Sequence, residues 1–238
     1  MSKLGFSSLL TTGNPKINKS NNSGKGYFSA IMHFAPAHSS GHEVCWERSD
    51  GCTEACLNTA GRGRYQAIQD VRIARTRYFI EYRDKFLGLL TDELDRFIRK
   101  CKRLKLKPAV RLNGTSDIPW ETMGGGILAA YPNVQFYDYT KITARMLRWC
   151  EGKLPSNYHL TFSRSESNEV SCRKVLYAGG NIAVVFKGIQ PKYFGYGLYY
   201  RPVINGDLTD QRFLDGYKVI VGLTAKGRGK HDRSGFVL

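Results

Sequence analysis

The stretch Pro108-Ala109-Val110-Arg111-Leu112-Asn113-Gly114-Thr115-Ser116-Asp117 decides the fold, because a short, mainly apolar run passes straight into a cluster of turn and capping residues. The same texture recurs at 134–137 before Asp138-Tyr139-Thr140-Lys141, at 158–162 before Ser163-Arg164-Ser165-Glu166, and at 182–186 before Lys187-Gly188. It continues at 202–204 before Asn205-Gly206-Asp207 and at 219–223 before Thr224-Ala225-Lys226. Residues 27–34, halted by Ala35-Pro36, add a strand at the start and bring the number to seven. Spacings of about 15 to 25 residues, with runs too uniformly apolar for a half-solvated antiparallel sheet, predict buried parallel strands joined by crossovers. The expected fold class is α/β, a partial or closed β/α barrel with mostly parallel strands and a three-cysteine loop after the first strand.

The rest of the chain fits this frame. Ile68, Val71, Ala74, Tyr78 and Tyr82 recur at helical spacing within 64–87. A second helix is expected to start at Thr91, with Asp92 and Glu93 in its first turn and Leu94, Phe97, Ile98, Cys101 and Leu104 as its apolar stripe. Residues 1–26, rich in Ser, Asn, Gly and Lys, read as a flexible or irregular arm, and 27–238 as one barrel-like domain. With 238 residues and 42% apolar content, disordered and collagen-like chains are excluded. No apolar window suits a membrane helix and no signal-peptide pattern opens the chain, so a soluble cytoplasmic protein with no membrane partner is expected.

In parallel α/β folds functional groups lie past the carboxyl ends of the strands, so the polar clusters should surround one mouth. Arg111, Asp117, Asp138, Lys141 and Glu166 carry charge there and are the candidate catalytic groups. Taken singly, each cluster also reads as ordinary turn and capping residues. Cys45, Cys52 and Cys56 sit between the first strand and the first long helix, with six and three residues between them. Six cysteines are too sparse for a disulfide scaffold, and three so close favour metal binding. Three thiolates suit an iron–sulfur cluster with one iron left open, whereas His42 as a fourth ligand would close a zinc site instead. Without metal, Cys52 and Cys56 would be small buried residues.

The segments from Cys45 through GCTEACLNTAGRGRY, RLNGTSDIPWE, YDYTK, LTFSRSE and VIVGLTAKGRGKHD resemble the bacteriophage family called Gene 88 protein over about residues 27 to 238. In plan the chain is similar to radical S-adenosylmethionine enzymes, whose partial barrels hold a 4Fe-4S cluster through three cysteines. That resemblance implies that Cys45, Cys52 and Cys56 ligate the cluster and that strand-end residues hold S-adenosylmethionine. The corresponding stretches are Asn113, Gly114, Thr115, Ser116 and Asp117, then Asp138 with Tyr139, Thr140 and Lys141, then Ser163, Ser165 and Glu166. The usual radical-enzyme loop has three and then two intervening residues with an aromatic before its last cysteine; here Ala55 holds that place. A phage origin would set the location as the host cell cytoplasm.

The formal net charge is +16, and residues 62–107 carry 14 Lys or Arg against 6 Asp or Glu. Nucleic acid or another polyanion is therefore the expected partner, with Arg72, Arg75, Lys226, Arg228 and Lys230 as candidate contacts, against the plainer reading of a solvated basic face. Gly222-Leu223-Thr224-Ala225-Lys226-Gly227-Arg228 lacks the Lys-Ser/Thr pair of a phosphate loop. The leading expectation is an iron–sulfur, radical S-adenosylmethionine-like enzyme acting on nucleic acid or a nucleotide-like substrate. The alternatives are a nucleic-acid-binding protein with a structural zinc or iron–sulfur site, and a Mg²⁺ nuclease using Asp117, Asp138, Glu166 and Asp207.

Overall fold

A computed structural model describes residues 4–238. In chain order the strands are β1 (Leu10–Thr11), β2 (Tyr27–Met32), β3 (Lys107–Arg111), β4 (Gln135–Thr140), β5 (Tyr158–Ser163), β6 (Ile182–Phe186), β7 (Tyr193–Tyr196), β8 (Tyr199–Asn205) and β9 (Ile220–Thr224). The helices are α1 (Pro15–Asn21), α2 (Asp50–Glu54), α3 (Gln66–Glu81), α4 (Arg83–Arg103), α5 (Trp120–Met123), α6 (Ile127–Ala130), α7 (Thr143–Cys150) and α8 (Glu169–Tyr177). All seven strands expected from the sequence are present. β1 and β7 are additional, and both pair antiparallel at the sheet edges.

The nine strands form one sheet in the order β1-β2-β3-β4-β5-β6-β9-β8-β7. From β2 to β6 each new strand is added parallel on the same side of the last. Right-handed crossovers taken repeatedly in one direction put every connecting helix on one face of the sheet. That face is apolar: Ala30, Met32, Val110, Phe136, Leu160, Phe162, Ile182 and Val184 share a core with Phe79, Phe86, Leu90, Leu94 and Phe97 from α3 and α4. β9 then returns between β6 and β8, so the β8-to-β9 connection runs in the reverse direction and emerges on the other face. The hairpin β7–β8 and the antiparallel edges leave the sheet open, which corrects the closed-barrel option.

The face without crossover helices is polar and is covered by α1 and the segment 209–214. Asn14 caps α1 by accepting from Ile17 N–H at 2.9 Å, Pro15 pre-sets the first turn, and Ile17 and Ser20 are buried. Residues 10–21, expected to be part of an irregular arm, are therefore structured. Asp210 joins the two covers to the sheet: its carboxylate accepts from Arg111 of β3 at 3.0 and 3.2 Å and pairs with Lys16 of α1 at 3.1 Å. Gln211 donates to Ser29 Oγ of β2 at 3.0 Å.

The break between the long helices falls at Tyr82 (φ −132°, ψ 52°), not at Thr91, which lies inside α4. The apolar side of α4 begins at Phe86 and Leu90, before Thr91, so packing carries the helix through a residue that could have capped it. At the far end Lys105 takes a left-handed φ of 55°, and the N–H groups of Lys105 and Leu106 donate to Lys102 and Cys101.

Asp210→Asn should cost about 3–5 kcal/mol in urea unfolding, because it leaves buried Arg111 and half-buried Lys16 without their counter-charge. Burial alone would raise the Asp210 carboxyl, but Arg111 and Lys16 outweigh it and hold it well below the usual carboxylate range. Its contribution is therefore fully present above the unfolded value of about 3.9 and fades as pH falls below that. An unchanged acid-unfolding midpoint in the variant contradicts this role.

Candidate functional site

The polar clusters do meet. A cavity of about 230 Å³ opens past the carboxyl ends of β3, β4, β5, β6 and β9, where the strand direction of growth reverses. Its walls are the segment between β2 and α3 that carries the three cysteines, Cys52 within α2, the turns after β3 to β5, and the C-terminal segment through Phe236 and Val237.

The turn after β3 is fixed from several sides. The Asn113 side-chain oxygen accepts from Ser116 Oγ at 2.8 Å and Ile118 N–H at 2.9 Å, and its amide donates to Ile118 O and Asp138. Gly114 lies so close to β2 that a Cβ would sit 2.5 Å from Met32 O, so no larger residue fits. Asp117 accepts from Lys141 N–H at 2.7 Å and from Arg145 at 3.1 Å, tying this turn to the next. At the floor the Arg111 guanidinium lies 4.6 Å over the Tyr139 ring while paired to Asp210.

Cys45, Cys52 and Cys56 all line this cavity. Burial pushes the Cys45 thiol up to about 12 and raises Cys56 as well, so both are protonated without an electrophilic partner. Each sulfur nevertheless has a compensating donor or cation. Ala37 N–H donates to Cys45 Sγ at 3.5 Å, Asn58 N–H donates to Cys56, Lys141 lies against Cys52, and Arg72 lies near Cys56. Among the described residues, no group of three or more His, Cys, Asp or Glu side chains is arranged to hold a single metal ion. His42, the expected fourth zinc ligand, does not line the cavity and lies 3.9 Å from Glu81 instead.

The candidate residues separate by position. Arg111, Asn113, Gly114, Thr115, Ser116, Asp117, Tyr139, Thr140, Lys141 and Ser163 line the cavity. Asp138 does not: one residue out of step with Tyr137 and Tyr139, it points to the helix-covered side. There it is fully buried and accepts from Asn113 N–H at 2.6 Å and Tyr158 Oη at 2.7 Å. Glu166 is a tie, accepting from Ser49 Oγ at 2.7 Å and Gly51 N–H at 2.8 Å and so anchoring the cysteine loop to the end of β5. Ser165 is buried beside it, its N–H bonded to Asn168. Asp207 pairs with Lys226, so the four carboxylates of the nuclease reading are each engaged elsewhere and do not gather.

Arg72 and Arg75 are corrected as nucleic-acid contacts. Both are buried; Arg72 donates to Asn58, and Arg75 donates to His33 O and Ser8 O at 2.7 Å each. Lys226, Arg228 and Lys230 are exposed. Lys16, Asp207 and Asp210 were not singled out from the sequence as parts of the leading site. The Asn14-Pro15 pair is a helix-start signal that could have placed Lys16 on a helix, whereas Asp210 sits in a connection with no such mark.

Fold and cavity together define an open, mostly parallel α/β protein with a thiol-lined pocket at the carboxyl ends of its strands. The chain belongs to the Gene product 88 family, whose model matches residues 8–238. No curated protein and no solved structure matches it. Among the described residues no helix is long and apolar enough to cross a membrane.

Glu166→Ala should lower stability by about 2 kcal/mol in urea unfolding, since it removes a carboxylate that accepts two hydrogen bonds. It should also speed labelling of Cys52 by a thiol reagent, because the Ser49–Gly51 stretch beside it is freed. Unchanged stability and labelling would remove Glu166 from the loop's anchoring.

Proposed function

We propose that this chain is an iron–sulfur enzyme of the S-adenosylmethionine-using kind, built on a partial β/α barrel and acting on a nucleic acid or nucleotide-like substrate. The observation that carries this reading is the convergence of three thiols from one loop on a cavity that strand-end polar residues also line. Cys45, Cys52 and Cys56 would hold the cluster. A 4Fe-4S cluster on three thiolates keeps one iron for an outside ligand and supplies one electron to it.

The donor set suits such a group. Thiols that burial keeps neutral gain their thiolate form when metal replaces the proton. The N–H groups of Ala37 and Asn58 and the charges of Lys141 and Arg72 then offset an anionic cluster in a partly dry site. A zinc site draws less support, because His42, its candidate fourth ligand, lies against Glu81 and does not line the cavity.

The chain's own residues would do the rest. The rigid 113–117 turn offers the Thr115 and Ser116 hydroxyls, and Tyr139, Thr140 and Ser163 add further polar groups from neighbouring strands. Lys141, donating to Ser163 Oγ at 3.0 Å, stands between this polar wall and the cysteine loop. Arg111, held by Asp210, fixes positive charge at the floor, where it would orient an anionic group of the ligand.

Anaerobic incubation of iron-loaded protein with S-adenosylmethionine and a strong reductant should release 5′-deoxyadenosine. Cys52→Ala should reduce release to background, and Lys141→Met should lower it at least tenfold. Iron-loaded protein that releases none contradicts the S-adenosylmethionine assignment.

A further inference from the structure

The sequence carries one short motif twice: Gly61-Arg62-Gly63-Arg64 and Gly227-Arg228-Gly229-Lys230, 166 positions apart. Both copies fold as 3-10 turns of matching conformation. Each begins with a glycine in the left-handed region, Gly61 at φ 52° and Gly227 at φ 55°. Each buries its second glycine, Gly63 or Gly229, and exposes its two cations.

The second turn packs against the residues that lead into the first, and its Gly229 reaches the rim of the cavity. A Cβ on Gly227 would lie 2.9 Å from Thr59 Oγ1 and 3.0 Å from Ala60 Cβ, and Arg228 N–H donates to Thr59 Oγ1 at 3.4 Å. Gly229 packs against Ala55, and Ala55, Leu57 and Gly229 all line the cavity. Among the described residues none of Arg62, Arg64, Arg228 and Lys230 forms an ion pair. Asp207 is paired with Lys226, Asp232 accepts from Ser234 and Val237 N–H, and Asp70 of α3 accepts from Gln66. Arg64 lies 5.5 Å over the ring of Tyr65, which is itself 54% exposed beside these cations.

We propose that these twin turns form a two-sided phosphate clamp for a single-stranded polynucleotide, laying the strand across the cavity mouth so that one nucleotide meets the opening. This rests on the nucleotide-directed reading above and names its substrate class as a strand. Four cations without ion-pair partners on two turns suit successive backbone phosphates, and the half-exposed Tyr65 ring offers a base a face for stacking. Glycines at the inner positions let the backbone turn tightly while keeping the cations outward.

The test is fluorescence anisotropy of a fluorescein-labelled oligothymidylate against the full chain over a range of salt. Arg62→Ala with Arg64→Ala, and separately Arg228→Ala with Lys230→Ala, should each weaken binding about tenfold and reduce the log–log salt slope by roughly 1.4, two contacts' worth. The control is Arg99→Ala with Lys102→Ala, on the end of α4 that leads into the start of β3 and so at the opposite pole. It should change affinity less than twofold. Equal loss in the control, or no loss in either turn variant whose melting temperature is unchanged, overturns the clamp in favour of diffuse attraction to a basic protein. Thymidine 5′-monophosphate at matched phosphate concentration should not displace the strand; equal displacement overturns the strand assignment. Iron content is measured on the same samples, so loss of the clamp with iron retained leaves the cluster reading standing, and strand binding without iron does the reverse.

Discussion

Asp210 is the charge on which the polar half of this molecule depends. One face of the sheet is covered by helices and is apolar, and the other presents Ser29, Arg111, Tyr137, Tyr139, His159 and Thr161 to a cover made of α1 and residues 209–214. Two cations, Lys16 and Arg111, converge on one buried carboxylate between cover and sheet. Removing water from these groups costs several kcal/mol each, and their mutual attraction with good geometry offsets it. The same pairing leaves the Arg111 guanidinium fixed beneath the cavity, so the interaction that closes the fold also sets the electrostatics of its floor.

The alternation of strand and crossover was legible because buried parallel strands show as short apolar runs ending in turn residues. The reversal at β9 was not, since periodicity carries no information on strand order. The reversal decides which face the 206–219 connection covers, and so where Asp210 lies. Asp138 and Glu166 show a second limit. Charge near a strand end signals a mouth, but the face is decided by parity: Asp138 is out of step with Tyr137 and Tyr139 and serves the core side. Arg72 and Arg75 show a third limit, for a basic helix exposes its cations only where neighbouring carbonyls do not claim them.

The cysteine loop was recognisable by composition, yet its geometry depends on distant residues. Glu166, more than a hundred positions away, holds its middle through Ser49 and Gly51. Lys141 reaches it from β4, and the C-terminal turn at Gly227 and Gly229 closes its outer side. Three elements separated along the chain thus hold thiols, polar strand ends and a basic rim around one opening. That arrangement gives a single pocket thiols, an ordered polar wall and exposed cations nearby.

The central claim is that the three thiols share one cluster. Anaerobic purification followed by iron and acid-labile sulfide analysis tests it most directly. The account predicts a brown protein with about four iron and about four sulfide per chain, and a Cys45→Ala, Cys52→Ala, Cys56→Ala triple variant that retains neither. A colourless, iron-free protein that binds one zinc per chain would contradict it.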